Sequence, residues 1–306
     1  MRVAVIGVGH LGRHHARILA SLPDVTLAAV VDTNRARAAE IAAEFGATAY
    51  GDARDIDGRV EAVVIATPTE SHASIAERLL DAGVHMLIEK PITQTVEEAD
   101  RVIAAALRSG AVLAVGHSER FNPAVMAARA YIKDPRFIEV HRLGTMPGRS
   151  LDIDVVLDLM IHDLDLILSA VPSEIDSVEA VGVPVLTPKV DIANARLRFK
   201  NGCIANLTAS RISREQVRKV RFFQRESYVS IDTASKEVEM YHLIPQPGAL
   251  PTIGGGKQAV PGDEPLKREL EDFIAAIREG RAPAVAGEQG RAALALAVRI
   301  VELMRQ

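Results

Sequence analysis

The sequence predicts an α/β protein whose N-terminal part is a doubly wound parallel sheet and whose C-terminal part is an α+β domain on a largely antiparallel open sheet. Three observations predict it. The first third alternates short, continuously apolar β-rich runs with segments of helical spacing. A glycine triplet, Gly7-x-Gly9-x-x-Gly12, falls between the first such run and the first helical segment. Beyond about residue 117 the pattern changes to the period-two alternation of half-buried strands.

In the first part the strands read as Val3 to Ile6, Thr26 to Val31, Ala62 to Ala66, His85 to Ile88 and Val112 to Val115. Both faces of each are apolar, as burial under helices on either side requires. The segments Gly12 to Ser21, Arg35 to Phe45, Ser71 to Ala82 and Val96 to Ser109 carry apolar residues at helical spacing and supply those helices. After His117 come helices at Pro123 to Ile132 and about Asp154 to Ala170. Strands follow at Ser177 to Val183, Ile192 to Phe199, Cys203 to Ala209, Val217 to Phe223, Tyr228 to Ile231 and Val238 to His242. Turns such as Lys200-Asn201-Gly202 imply hairpins, hence antiparallel pairing. Residues Pro245 to Pro265, rich in Pro and Gly and without periodicity, read as a loop, and helices at Leu266 to Arg278 and Glu288 to Met304 end the chain. The expected division is a dinucleotide-binding domain over 1–118 and a substrate-binding and oligomerisation domain over 119–306.

Composition excludes several classes. With 36 Lys plus Arg against 40 Asp plus Glu, the formal charge of -4 offers nucleic acid no electrostatic drive. Cys203, the single cysteine, rules out an intrachain disulfide or a structural zinc framework and reads as a buried apolar thiol. No His/Cys/carboxylate cluster has metal-ligand spacing, so no metal is expected. Charges interrupt every hydrophobic run before the roughly 20 apolar residues a membrane span needs, and Met1 to Gly7 is too short for a signal peptide. A cytoplasmic protein with no membrane partner is expected.

The glycine triplet follows a strand and opens a helix, the context that makes it a Rossmann dinucleotide fingerprint. Gly7, Gly9 and Gly12, with His10 and Leu11 between them, form a tight turn whose backbone approaches a pyrophosphate, with helix-terminal N–H groups aimed at it. Asp32 ends the next strand, where a carboxylate accepts hydrogen bonds from the adenosine ribose and repels a 2′-phosphate, so NAD is favoured. NADP stays open because Arg35 and Arg37 lie just beyond, fitting either that phosphate or a solvated helix face. His14 and His15, in the first helix, read as packing or surface residues.

Two further motifs, Ala66-Thr67-Pro68-Thr69-x-x-His72 and Glu89-Lys90-Pro91, end successive strands, and Asp158-Leu-Met-Ile-His162 lies on a later helix. Together with the glycine triplet this set resembles the glucose-fructose oxidoreductase/inositol dehydrogenase/MocA family over essentially the whole chain. The resemblance implies cofactor contacts from Thr67, Pro68, His72, Glu89 and Lys90, a cis peptide at Lys90–Pro91, His162 as general acid/base, and Asp158 touching substrate or orienting the histidine. The residues agree with it. Lys90 falls at the carboxyl edge of a parallel sheet, where it can stabilise alkoxide charge, and Glu89 reads as orienting it. Asp154, Asp158 and His162 recur at i, i+4 and i+8, apart from the stripe Leu157, Ile161, Leu164 and Leu168.

The segment His117-Ser-Glu-Arg-Phe-Asn-Pro123 marks the domain junction, and related sequences use it to contact cofactor and substrate; Arg120 and Asn122 are the candidates here. Arg211 and Arg214, after a later strand, are candidates for a diphosphate or carboxylate. The expected reaction moves a hydride between nicotinamide and a secondary carbinol carbon, with His162 taking the hydroxyl proton and Lys90 steadying the oxygen. Pairing the segment at 117 to 123 with Met160-Ile-His-Asp-Leu-Asp165 most resembles the branch acting on nucleotide sugars such as UDP-N-acetylglucosamine, implying oxidation of a sugar 3-hydroxyl to a 3-keto product. A myo-inositol or free-sugar dehydrogenase is the alternative enzyme, and an NAD-binding regulator without catalysis the alternative class. The resemblance also implies a homodimer or homotetramer formed through the second domain's sheet.

Overall fold

The structure, a computed structural model, describes residues 1–145 and 153–305. The chain divides into two compact units, Met1–Ser118 with Leu266–Leu294, and Glu119–Pro265 with Ala295–Gln306.

The first unit is built on six parallel strands: β1 (Arg2–Ile6), β2 (Thr26–Val31), β3 (Thr48–Tyr50), β4 (Ala62–Ile65), β5 (His85–Glu89) and β6 (Leu113–Gly116). Their order, β3-β2-β1-β4-β5-β6, reverses direction between β1 and β4. Chain leaving those two strands diverges to opposite sides, and the crevice at their carboxyl ends is where such sheets bind ligands. Helices α1 (His10–Ser21), α2 (Arg35–Phe45), α3 (His72–Asp81) and α4 (Val96–Ser109) are the crossovers. Their ends are specified locally. Asn34 caps α2 by accepting from the Arg37 N–H, and Thr95 with Glu98 forms a capping box on α4. Strand β3, too short to show a pattern in the sequence, exists through its pairing with β2.

The second unit carries an eight-stranded sheet made from β7 (Phe137–Leu143), β8 (Ile175–Val183), β9 (Ile192–Phe199), β10 (Ile204–Ser210), β11 (Val217–Phe223), β12 (Ser227–Asp232), β13 (Glu237–Gln246) and β14 (Ala249–Gln258). The order is β14-β13-β12-β11-β7-β10-β9-β8, antiparallel throughout except for β7 against β10. Alternate residues, among them Ile138, Val140, Leu197, Phe199, Ala205, Leu207, Val220 and Phe222, form its buried face. Helix α5 (Pro123–Ala128) packs on β12 and β13, and a π-helical turn (Val156–Met160) that leads into α6 (Ile161–Ala170) packs on β10.

Four features differ from the sequence reading. Strand β7, central to the sheet, was not expected, because its inward positions Ile138, Val140 and Arg142 include a charge. The segment expected to loop over Pro245 to Pro265 forms β14 and the end of β13. Gly254, Gly255 and Gly256 show no alternation, yet pair with His242, Tyr241 and Met240, and a Cβ on Gly255 would lie 2.0 Å from the Met240 carbonyl oxygen. The helix expected over Asp154 to Ala170 is α-helical only from Ile161, after the π turn. Finally, helix α7 (Pro265–Glu279), read as part of the second domain, sends Leu270, Phe273 and Ile274 into the first unit's core beside Val3, Val5, Ile18 and Leu19; α8 (Gly287–Leu303) ends the chain.

The second unit encloses a fully buried ion pair. Asp191 and Arg211 are both fully buried, with Nε 2.8 Å from Oδ1, and Asp191 Oδ2 accepts from the backbone N–H groups of Val185, Leu186 and Thr187 at 2.8, 2.6 and 2.8 Å. Burial alone would raise the Asp191 pKa. The Leu186 and Thr187 amides and the Arg211 guanidinium outweigh it and hold the carboxyl well below the usual carboxylate range. Arg211 also donates to the Ile153 carbonyl and the Thr187 hydroxyl, so its role is internal and the expectation that it meets a ligand anion is corrected; Arg214 is exposed. Removing one partner of such a pair costs about 3–5 kcal/mol, so Asp191→Ala should lower unfolding free energy by that order in urea titrations at pH 7. Because the folded pKa is depressed, the pair's contribution is full above about pH 4 and lost as pH falls further; the variant's stability should therefore fall less steeply in acid than the unmodified protein's.

Candidate active site

In the first unit the candidate site lies where β1 and β4 end. Gly7 takes φ +84°, and a Cβ there would come 2.7 Å from the Ala66 carbonyl oxygen, so only glycine lets the two strand ends meet. A Cβ on Gly12 would lie 1.8 Å from the Gly7 carbonyl oxygen; α1 packs backbone to backbone on the turn. At Gly9 a Cβ would meet nothing within 4 Å. The absent side chain there serves no contact in the protein and matches the close approach of a bound pyrophosphate. His10 and Leu11, at the opening of α1, are exposed.

A cleft of about 520 Å³ runs from this turn, lined by Gly7, Gly9, Asp32, Thr33, Asp52, Thr67, Pro68, Glu70 and Ser71 among others. Asp32 Oδ2 accepts from the Val8 N–H and Oδ1 from the Asn34 N–H, both at 2.9 Å, so the expected ribose ligand also ties the glycine turn to the end of β2. Asp52, on the next loop, is held below the usual carboxylate range by Arg54. Arg37 is turned to the Val8 carbonyl and Glu40, whereas Arg35 lies against Gly51, another lining residue. The cleft thus fits an adenosine dinucleotide with ribose hydroxyls, and its lining holds three carboxylates and no Lys or Arg among the described residues.

Thr67 and Pro68 line this cleft, but His72 does not. It is 1% exposed, with Nε2 2.9 Å from the Thr67 carbonyl oxygen and Nδ1 3.0 Å from that of Pro91. It braces the two strand-end loops. Glu89 is likewise withdrawn: Oε1 lies 2.7 Å from Nε2 of fully buried His15, and Oε2 accepts from the Lys90 N–H at 3.2 Å. Lys90 follows at the carboxyl end of β5, half-buried, with a cis peptide to Pro91.

In the second unit the half-buried candidates Asp158 and His162 lie on the π turn and the first turn of α6. The π turn interrupts the i, i+4, i+8 register expected for Asp154, Asp158 and His162, as such turns often do at functional positions. Asp154 is buried, accepting from the Val190 N–H at 3.0 Å. Two carboxylates that follow His162 in sequence moor the helix. Asp163 takes both prongs of Arg142, at 2.7 and 2.8 Å, and Asp165 takes the fork of Arg120, at 2.7 and 3.0 Å. Burial opposes the charge on Arg142, but Asp163 and Glu119 more than restore it and hold its pKa above the ordinary value. Arg120 is therefore spent on Asp165. Asn122 caps α5, with its amide nitrogen on the Thr233 carbonyl, at 4% exposure. Both substrate-contact candidates therefore have partners inside the unit. Cys203 is buried and its thiol pushed up to about 11 by burial, which keeps it un-ionised. No group of three metal-ligating side chains occurs among the described residues, and no described helix is long and apolar enough to cross a membrane.

The parallel sheet reversing at a glycine turn, the Asp32 carboxylate at the end of β2 and the cleft between strand ends define a nicotinamide-dinucleotide oxidoreductase of Rossmann type. Residues 1–117 match the model described as the oxidoreductase family, NAD-binding Rossmann fold, and residues 135–226 the GFO/IDH/MocA C-terminal domain. The chain is 43% identical to UDP-N-acetylglucosamine 3-dehydrogenase of Acidithiobacillus ferrooxidans over 98% of its own length and 96% of that protein's. A solved structure of the enzyme from that organism superposes with a TM-score of 0.93 at 42% identity, covering 100% of this chain and 99% of that one. Inositol 2-dehydrogenase of Rhizobium meliloti is 29% identical over 100% of this chain and 98% of its own. The protein belongs to the GFO/IDH/MocA oxidoreductase family and is an NAD-binding enzyme.

Gly9 and Gly12 should separate ligand fit from protein packing. Gly9→Ala should leave unfolding free energy within about 0.5 kcal/mol of the unmodified protein, a surface-like change, while weakening NAD binding at least tenfold, about 1.4 kcal/mol. Gly12→Ala should lose both, since its Cβ meets backbone. Calorimetric titration with NAD and thermal denaturation of the two variants check the pair.

Proposed function

We propose that the protein oxidises the 3-hydroxyl of UDP-N-acetylglucosamine to a 3-keto group with NAD as acceptor. The observation that carries the reading is the near-full-length 43% identity to a dehydrogenase named for that substrate. NAD, when bound, supplies the hydride acceptor at its nicotinamide. The chain's own contributions follow from chemistry. The Gly7 to Gly12 turn holds the pyrophosphate, and Asp32 the ribose hydroxyls. Lys90 donates to the reacting oxygen and steadies its developing charge. His162 takes the hydroxyl proton, for which an imidazole suits cellular pH, and Asp158 contacts substrate or orients the ring.

The test is a panel of UDP-N-acetylglucosamine, other nucleotide sugars, myo-inositol and free sugars with NAD and with NADP, followed by reduced-nicotinamide absorbance. Turnover of UDP-N-acetylglucosamine with NAD supports the reading. Preference for inositol makes the protein an inositol dehydrogenase, and cofactor binding without turnover of any sugar makes it a regulator. Lys90→Ala and His162→Ala should each spare NAD affinity and cost about 10²- to 10⁴-fold in turnover. The double variant should lose much less than the product of the two, because groups serving one transition state are non-additive; strictly multiplicative losses would assign them to separate steps.

We further propose that a second copy of the chain packs on the outer face of the eight-stranded sheet. There the half-buried rings of Phe137, Phe223, Tyr228 and Tyr241 run across β7, β11, β12 and β13 with successive centroid separations of 5.5, 5.0 and 6.4 Å. A solvated face has no need of such a row. Light scattering at micromolar concentration should give a dimer or tetramer, and a monomer would sink the proposal.

A further inference from the structure

We propose that His15 is a positioning residue for Lys90, acting through the Glu89 carboxylate. The proposal rests on reading Lys90 as the group that donates to the reacting oxygen. His15 sits on α1 one turn beyond Gly12, on the helix whose N-terminus forms the dinucleotide cradle. Its ring is fully buried, with Nε2 2.7 Å from Glu89 Oε1. The other carboxylate oxygen accepts the N–H of Lys90 itself, at 3.2 Å. The neighbouring strand makes room for this arrangement: Gly116 pairs with Glu89, and a Cβ there would come within 2.9 Å of Oε2.

A buried carboxylate is costly unless bonded. The His15 contact is therefore what allows an acid to sit beneath Lys90, and the acid in turn fixes the backbone on that residue's N-terminal side. On its other side the Pro91 carbonyl oxygen lies 3.0 Å from His72 Nδ1. The backbone carrying Lys90 is thus pinned from α1 through Glu89 and from α3 through His72, and a ligand seated on α1's N-terminus is in register with the lysine. Neither histidine needs to touch a ligand to matter, since a displacement of about 1 Å at a reacting group can cost about 10²-fold in rate.

The test compares His15→Ala, His15→Asn and His15→Gln with the unmodified enzyme. A glutamine amide can reach the place of Nε2 and donate to Glu89; alanine and asparagine cannot. NAD affinity and thermal transition are measured first, then kcat and KM with UDP-N-acetylglucosamine across pH. A readout besides turnover is the rate at which acetic anhydride acylates Lys90, followed by peptide mass spectrometry against exposed Lys133. In His15→Ala and His15→Asn, NAD affinity should stay within about threefold while kcat falls roughly 10- to 100-fold with a much smaller change in KM. Lys90 acylation relative to Lys133 should shift several-fold, because the backbone that places the amine is no longer held through Glu89. His15→Gln should restore kcat, its pH profile and the acylation rate to within about fivefold. The proposal is overturned if kcat and Lys90 acylation are unmoved in the alanine and asparagine variants, if glutamine is as impaired as they are, or if NAD affinity falls as far as kcat. Should alanine prevent folding, the asparagine–glutamine contrast decides. If the unmodified protein turns over no sugar, the proposed function fails by itself, and acylation still settles the role of His15.

Discussion

The close approach of two backbones at the ends of β1 and β4 is the constraint on which the rest of the first unit depends. Gly7 and Gly12 have no room for a Cβ, against Ala66 and against Gly7 respectively, so the turn, the start of α1 and the β4 loop form one packed object. That object opens the cleft lined by Gly9, Asp32, Thr67 and Pro68. It also sets the direction of α1, and the direction of α1 puts His15 beside Glu89. Cofactor cradle and lysine support are consequences of one strand reversal in a parallel sheet.

The second unit solves a different problem, that of holding charges in its interior. Arg142, Arg120 and Arg211 each meet a carboxylate with bonds between 2.7 and 3.0 Å, and all three carboxylates are almost wholly buried. Pairs of this kind contribute little net stability compared with a well-packed apolar core, but losing one partner is expensive. They therefore specify geometry more than they add stability. Asp163 and Asp165, next to His162 in sequence, are the anchors of α6 for this reason, and the helix that carries the histidine is fixed by its neighbours in sequence. Asp191 and Arg211 do the same for the chain between β8 and β9.

Much of the cofactor half could be read in advance because its requirements are local. A glycine triplet between a strand and a helix, an acid at the next strand's end, and apolar runs of strand length each report on a few consecutive residues. Thr67 and Pro68 follow a strand end in the same local way, and both line the cleft. The failures share a cause as well. Arg142 disguised a central strand because its partner Asp163 is remote in sequence, and the internal partners of Arg120 and Asn122, Asp165 and the Thr233 carbonyl, are remote in the same way. The glycine run of β14 carries no side-chain pattern at all, and its strand exists through the ladder to β13.

The sequence by itself determined the parallel sheet and its helices, the dinucleotide fingerprint, the carboxylate at the end of β2 and the family, since all of these are set by spacing over short stretches of chain. Only the tertiary structure decided that His15 meets Glu89, that His72 spans Thr67 and Pro91, that a π turn precedes His162, and that α7 packs into the first unit. The physical reason is that a buried polar group is stable only with a partner, and which partner it finds depends on elements distant in sequence being packed together.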